Sequence, residues 1–132
     1  MEDPKPRILV VDDNPTNLKL VSDVLQFEGY QIFNAANAEE ALVMINDSPP
    51  ALILMVIALP GMDGLTLTRK LKAHPDTQHI CIVALTAFAM KGEDQKALEA
   101  GCDGYITKPI DTRKLGHQVS SFLHGNQERS VP

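Results

Sequence analysis

Short apolar runs alternate along the chain with segments whose apolar residues fall three and four apart. Arg7 to Val11 is a compact β-branched run followed at once by polar Asp12-Asp13-Asn14, the pattern of a buried strand. Pro15 suits a first helical turn, and Leu18, Val21, Val24, Leu25 and Glu28 continue at helical spacing until Gly29 closes the element. Gln31 to Ala35 reads as a second strand. Ala38 to Ile45 reads as a helix with Ala41, Leu42 and Ile45 on one side and Asn37 as N-cap. Asp47-Ser-Pro-Pro50 breaks the pattern, and Leu52 to Ile57 is then apolar without interruption, as a central strand covered on both faces must be. Pro60 to Gly64 is a turn cluster, and Leu65 to Ala73 resumes helical character with Leu67 and Leu71 four apart. Ile80 to Leu85 is another fully buried strand, and Lys91 to Ala100 a helix with few large apolar groups, stopped by Gly101. Gly104 to Thr107 is a brief last strand. Leu115, Val119, Phe122 and Leu123 mark the buried stripe of a final helix.

Five strand–helix units therefore occupy residues 7 to 123, which predicts an α/β fold: a doubly wound parallel sheet with helices on both faces. The domain is expected over residues 7–124, with tails at 1–6 and 125–132. A length of 132 residues supports one such core and not two. A net charge of −5 removes the basic surface that general nucleic-acid binding requires, so direct DNA or RNA contact is disfavoured. The longest apolar run, Ala51 to Pro60, is too short to cross a bilayer, and the first residues lack the apolar middle of a secretory signal. Cys81 and Cys102 form no CxxC motif and read as free, small hydrophobic groups. The expected compartment is the cytoplasm.

In a sheet of this kind ligands sit beyond the carboxyl ends of the strands. Strand one ends in Asp12-Asp13, strand three near Val56 to Ala58, strand four in Leu85-Thr86-Ala87 and strand five in Thr107-Lys108-Pro109. Each residue alone has an ordinary explanation, as a turn former, a helix cap or a solvated charge. Converging on one rim, two carboxylates, a hydroxyl and a lysine suit a hard cation together with a phosphoryl group.

At these residues the chain resembles the response-regulator receiver family. The resemblance runs from Ile8 to about Leu123 and is carried by Leu9-Val-Val-Asp-Asp-Asn14, Leu59-Pro-Gly-Met-Asp-Gly64, Ala84-Leu-Thr-Ala87 and Gly104-Tyr-Ile-Thr-Lys-Pro109. The stretch Thr86 to Glu93 is similar to that of stand-alone receivers of the DivK kind. The resemblance implies strand order 2-1-3-4-5 and a set of roles. Asp13 would bind Mg²⁺ directly, Asp12 largely through water, and the backbone carbonyl of Ala58 would be a further ligand. Lys108 would pair with the phosphoryl group, and the Lys108–Pro109 bond is expected to be cis. Thr86, followed by Ala87, and Tyr105 would form the switch pair. The surface of the fourth helix, fifth strand and fifth helix would meet partners: a histidine kinase, a phosphotransfer protein, a downstream regulator or a second copy. With no output domain expected after Leu123, output would come through protein–protein contact or from a separate chain.

One position departs from the family. The acceptor aspartate lies four residues before the loop proline, and in this chain that position is Val56 in Met55-Val-Ile-Ala-Leu-Pro60. No carboxylate occurs between Asp47 and Asp63, so a register slip supplies none, and Asp63 is expected in the loop beyond the strand end. Valine has no oxygen with which to attack a phosphoryl donor or bind Mg²⁺, so aspartyl-phosphate chemistry is excluded there and the cation site should be weak or absent. Two accounts of the intact remainder stand side by side: an altered form of a competent receiver, or a natural pseudo-receiver that signals without phosphate. The alternative from another class is a Mg²⁺-dependent phosphoryl-transfer enzyme using Asp12 and Asp13. A flavodoxin-like or dinucleotide-binding domain is disfavoured by the absence of GxGxxG, of a P-loop and of tryptophan.

Overall fold

Where apolar runs recur without polar interruption, the chain has built strands buried on both faces. The computed structural model describes residues 6–87 and 92–129. The elements are β1 (Arg7–Val11), α1 (Pro15–Phe27), β2 (Gln31–Ala35), α2 (Ala38–Asp47), β3 (Leu52–Val56), α3 (Gly64–Ala73), β4 (Cys81–Thr86), α4 (Glu93–Ala100), β5 (Gly104–Thr107) and α5 (Leu115–Arg129). The strands form one sheet of order β2-β1-β3-β4-β5, and every pairing is parallel. This is the expected doubly wound arrangement. β3 and β4 are buried at every residue, while edge strand β2 keeps only Ala35 fully covered. Helix α1 packs against α5, and α3 against α4, so the central strands are covered on both sides. Ile8, Leu9, Ile53, Leu54, Ile82 and Leu85 are among the largest side chains sealed in this core.

Capping fixes where the helices begin. Asn37 accepts from the Glu40 amide at 2.8 Å, and Glu40 Oε1 accepts from the Ala36 amide at 2.8 Å, a reciprocal cap that starts α2. Asn14 accepts from the amides of Thr16 and Asn17 and starts α1.

Several boundaries differ from the sequence expectation. β3 ends at Val56, because the Ile57 carbonyl turns away to accept from the amides of Leu59 and Gly64. β4 is displaced by one residue to Cys81–Thr86, since the Ile80 amide is held by Thr77 in the preceding turn. α4 is described from Glu93, with Gly92 at its N-cap; Lys91, where the helix was expected to begin, lies outside the described residues. The supposed C-terminal tail is helical as far as Arg129, five residues beyond the domain limit of 124. Gln127, Glu128 and Arg129 are good helix formers, and they extend a helix already nucleated by its buried stripe. Pro6, expected in the N-terminal tail, accepts a hydrogen bond from the Gln31 amide.

Candidate functional site

The carboxyl ends of β1, β3, β4 and β5 open onto a cleft of about 230 Å³. Asp12 follows β1 directly and prolongs its ladder, its amide donating to the Ala35 carbonyl at 3.1 Å. The Asp12 side chain is buried. Oδ1 accepts from the Asn14 amide at 2.9 Å, while Oδ2 is buried without a hydrogen-bond partner. The nearest cation is Lys108 Nζ at 3.6 Å, an ion pair too long to be a hydrogen bond. Asp13, one residue on, is exposed at the mouth. The strand-end pair does not cap α1; Asn14 does, which leaves Asp12 and Asp13 facing the cleft.

From β3 comes Val56, only 5% exposed and opposite Leu85 in the ladder, followed by Ile57 and exposed Ala58 along the cleft wall. Gly64 is needed where α3 meets the end of β3. A Cβ there would lie 2.5 Å from the Val56 carbonyl oxygen and 3.1 Å from Ile57 Cα. Asp63 is exposed and caps α3, accepting from the Thr66 amide at 2.8 Å; it does not line the cleft.

β4 and β5 supply the remaining wall. The Lys108 amide donates to the Thr86 carbonyl at 2.7 Å, which holds the two strand ends together. The Lys108–Pro109 bond is cis, as expected. Lys108 and Ala87 line the cleft. Thr86 lies between two lining residues, fully buried, with its hydroxyl lacking a hydrogen-bond partner. Tyr105, opposite Ala84 in the ladder, is 38% exposed and does not line the cleft, and Pro109 lines a neighbouring hollow with Leu20 and Ile110. The structure thus gathers Asp12, Asp13, Val56, Ala58, Ala87 and Lys108, with Thr86 adjoining and Tyr105 apart.

Three lining residues escaped sequence reasoning: Asn14, Asn17 and Glu93. Asn14 and Asn17 stand three apart at the start of α1, a spacing that could have flagged them. Glu93 belongs to α4 rather than to a strand end, so a search of strand ends passes over it.

Two buried oxygens without hydrogen-bond partners, the Asp12 carboxylate oxygen ion-paired to Lys108 and the Thr86 hydroxyl adjoining the cleft, suit a charged ligand. Among the described residues, no three His, Cys, Asp or Glu side chains gather closely enough to clasp a metal ion. The donors present fit a hydrated hard cation held by one or two carboxylates, the usual habit of Mg²⁺.

The response regulator receiver domain profile matches residues 8–120. The chain belongs to the response-regulator receiver family. The polar-differentiation response regulator DivK of Brucella anthropi is 39% identical to it over 116 residues, covering 88% of this chain and 94% of the relative. Among solved structures, a CheY-like response regulator receiver domain protein from Methanospirillum hungatei superposes with TM-score 0.84 at 34% identity, covering 95% of this receiver and 98% of that chain. The signal receiver domain of a signal transduction histidine kinase from Syntrophus aciditrophicus gives 0.83 at 34% identity, covering 91% of each. As a DivK-like receiver, the protein is a component of two-component signalling, in a family generally made of signalling proteins rather than enzymes. Receiver domains typically bind Mg²⁺ and interact with kinases and other signalling partners. Among the described residues, no helix of this receiver is long and apolar enough to cross a membrane.

Proposed function

We propose that this receiver is locked out of phosphorylation at the usual position and signals through protein–protein contacts. The observation that carries the reading is the hydrocarbon of Val56 in the cleft that also holds Asp12, Asp13 and Lys108. Phosphorylation of a receiver needs a carboxylate oxygen to attack phosphorus, and β3 provides none. Asp63, the next carboxylate along the chain, is engaged as the cap of α3.

In this reading Asp13 is the direct cation ligand, Asp12 acts largely through water, and the Ala58 carbonyl completes the protein donors of a weakened Mg²⁺ site. Lys108 and Thr86 keep their places for phosphoryl oxygens that no longer arrive covalently, and Tyr105 is the outer member of the switch pair. Partners are a histidine kinase, a phosphotransfer protein or a downstream regulator, or a second copy, met on the α4, β5 and α5 surface in the cytoplasm. The test is incubation with acetyl phosphate and Mg²⁺, read by intact mass, on the native chain and on Val56→Asp. The native chain should gain no phosphoryl group and the variant should gain one. A hydroxylamine-labile acyl phosphate on the unaltered chain refutes the proposal.

A further inference from the structure

We infer that α2 and α3 form a self-complementary docking face, on which a second copy of this chain seats its α2 in the groove between the two helices. α2 packs against β1 and β2 while α3 packs against α4, so the two helices part toward solvent. Between them lies a groove of about 480 Å³, lined by Leu42 and Asn46 of α2, Lys70, Leu71 and Ala73 of α3, and His74 at its C-cap. Leu42, Leu71 and Ala73 give it an apolar floor, and no residue of α4, β5 or α5 contributes to its lining.

The two walls carry opposite charge. α2 holds Glu39, Glu40 and Asp47 and no basic residue, whereas α3 holds Arg69, Lys70 and Lys72 and no acidic one. Lys72 is engaged by Asp103, and Glu40 by the cap of its own helix. Glu39, Asp47, Arg69 and Lys70 are exposed, and among the described residues none of them has an ion-pair partner within its own chain. Helix dipoles account for Glu39 at the start of α2 and Lys70 near the end of α3. They do not account for Asp47, an acid in the last turn of α2 with no base beside it in that turn.

Glu39, Val43 and Asp47 stand four apart in one stripe along α2, and Val43 at its centre is 69% exposed. A two-fold axis sets that stripe against the basic wall of the second copy and, by symmetry, the reverse. Val43 enters the apolar groove at Ala73, whose small side chain leaves room, with Glu39 and Asp47 beside Arg69 and Lys70. A foreign acidic helix satisfies α3 alone, whereas a second copy pairs both charged walls at once. The α4, β5 and α5 surface stays open to other proteins in such a pair, and the inference is independent of the reading of Val56.

The test is sedimentation equilibrium of the full chain and of two charge-reversed variants, Arg69→Glu with Lys70→Glu and Glu39→Lys with Asp47→Lys. The native chain should be half associated near about 50 µM, as a small two-helix interface allows. Each variant alone places like charges across both halves of the interface and should self-associate at least about tenfold more weakly. An equimolar mixture of the two should recover the native dimer, because the acidic α3 of one then faces the basic α2 of the other. Leu98→Ser, at an exposed position of α4, should dimerise as the native chain does. The four charged positions are exposed, and thermal melts check each fold; the single changes Lys70→Glu and Asp47→Lys replace a double variant that melts early. A native chain that stays monomeric to roughly 500 µM overturns the inference. So does a mixture no more associated than its components, or loss of the dimer in Leu98→Ser.

Discussion

Val56 is the residue on which the chemistry turns, and its surroundings say what an oxygen there would meet. It is nearly sealed at the end of β3, in a cleft whose Asp12 already carries a buried, unbonded carboxylate oxygen. A carboxylate at position 56 would add like charge in a partly desolvated site. Val56→Asp should therefore leave the cation-free protein no more stable than the native chain, yet gain more from added Mg²⁺. Thermal melts of both forms across a Mg²⁺ titration check this, and equal or larger stabilisation of the native form contradicts it. A second residue-scale prediction concerns Cys102. Burial pushes its thiol above the ordinary value of 9.0, a shift opposed by its contact with Thr68. The folded state therefore favours the protonated thiol. Its contribution to stability is complete below 9.0 and declines as pH rises from there through the higher native value. Native Cys102 should react slowly with alkylating reagents at neutral pH, and denaturant should accelerate the reaction; rapid labelling of the folded chain would show the thiol to be accessible.

Among the elements, α3 shows how capping and close approach shape the cleft. Asp63 starts this helix by accepting from the Thr66 amide. Asp63→Ala should cost about 1 kcal/mol in denaturant unfolding and, combined with Val56→Asp, leave that variant's gain of a phosphoryl group from acetyl phosphate unchanged. A change in phosphorylation would show that Asp63 has a part in the chemistry. One residue later, Gly64 allows the helix to start against the β3 terminus. In Gly64→Ala the new methyl faces backbone of Val56 and Ile57, neither of which can rotate away. The expected loss is about 3 kcal/mol, together with altered Mg²⁺ affinity because Ala58 lies on the same connection.

Across the whole molecule, Lys72 ties three segments together. Its Nζ donates to the carbonyls of Gln78 at 3.1 Å and Ile80 at 2.7 Å and pairs with Asp103 at 3.0 Å. Asp103 in turn accepts from the Ile82 amide, so α3, the start of β4 and the turn before β5 share one charged knot. Lys72→Met should destabilise by about 2 kcal/mol, since it leaves Asp103 partly buried without its cation. Equilibrium denaturation measures this, and a loss below about 0.5 kcal/mol, typical of an ordinary surface pair, would refute the knot.

The sequence by itself determined the number and kind of elements, because uninterrupted apolar strands and three-and-four spacing are local patterns that two-sided burial imposes directly. It also determined that no carboxylate stands on the third strand, since that is a matter of which atoms a side chain contains. The strand-end residues Asp12, Asp13 and Lys108 were legible because a parallel sheet gathers its strand ends on one rim. Tertiary structure alone decided the rest. That Lys108 stops short of hydrogen-bonding Asp12 and that Glu93 reaches the cleft from a helix both depend on three-dimensional approach between distant segments. Such approach is set by packing against the sheet and leaves no periodic trace along the chain.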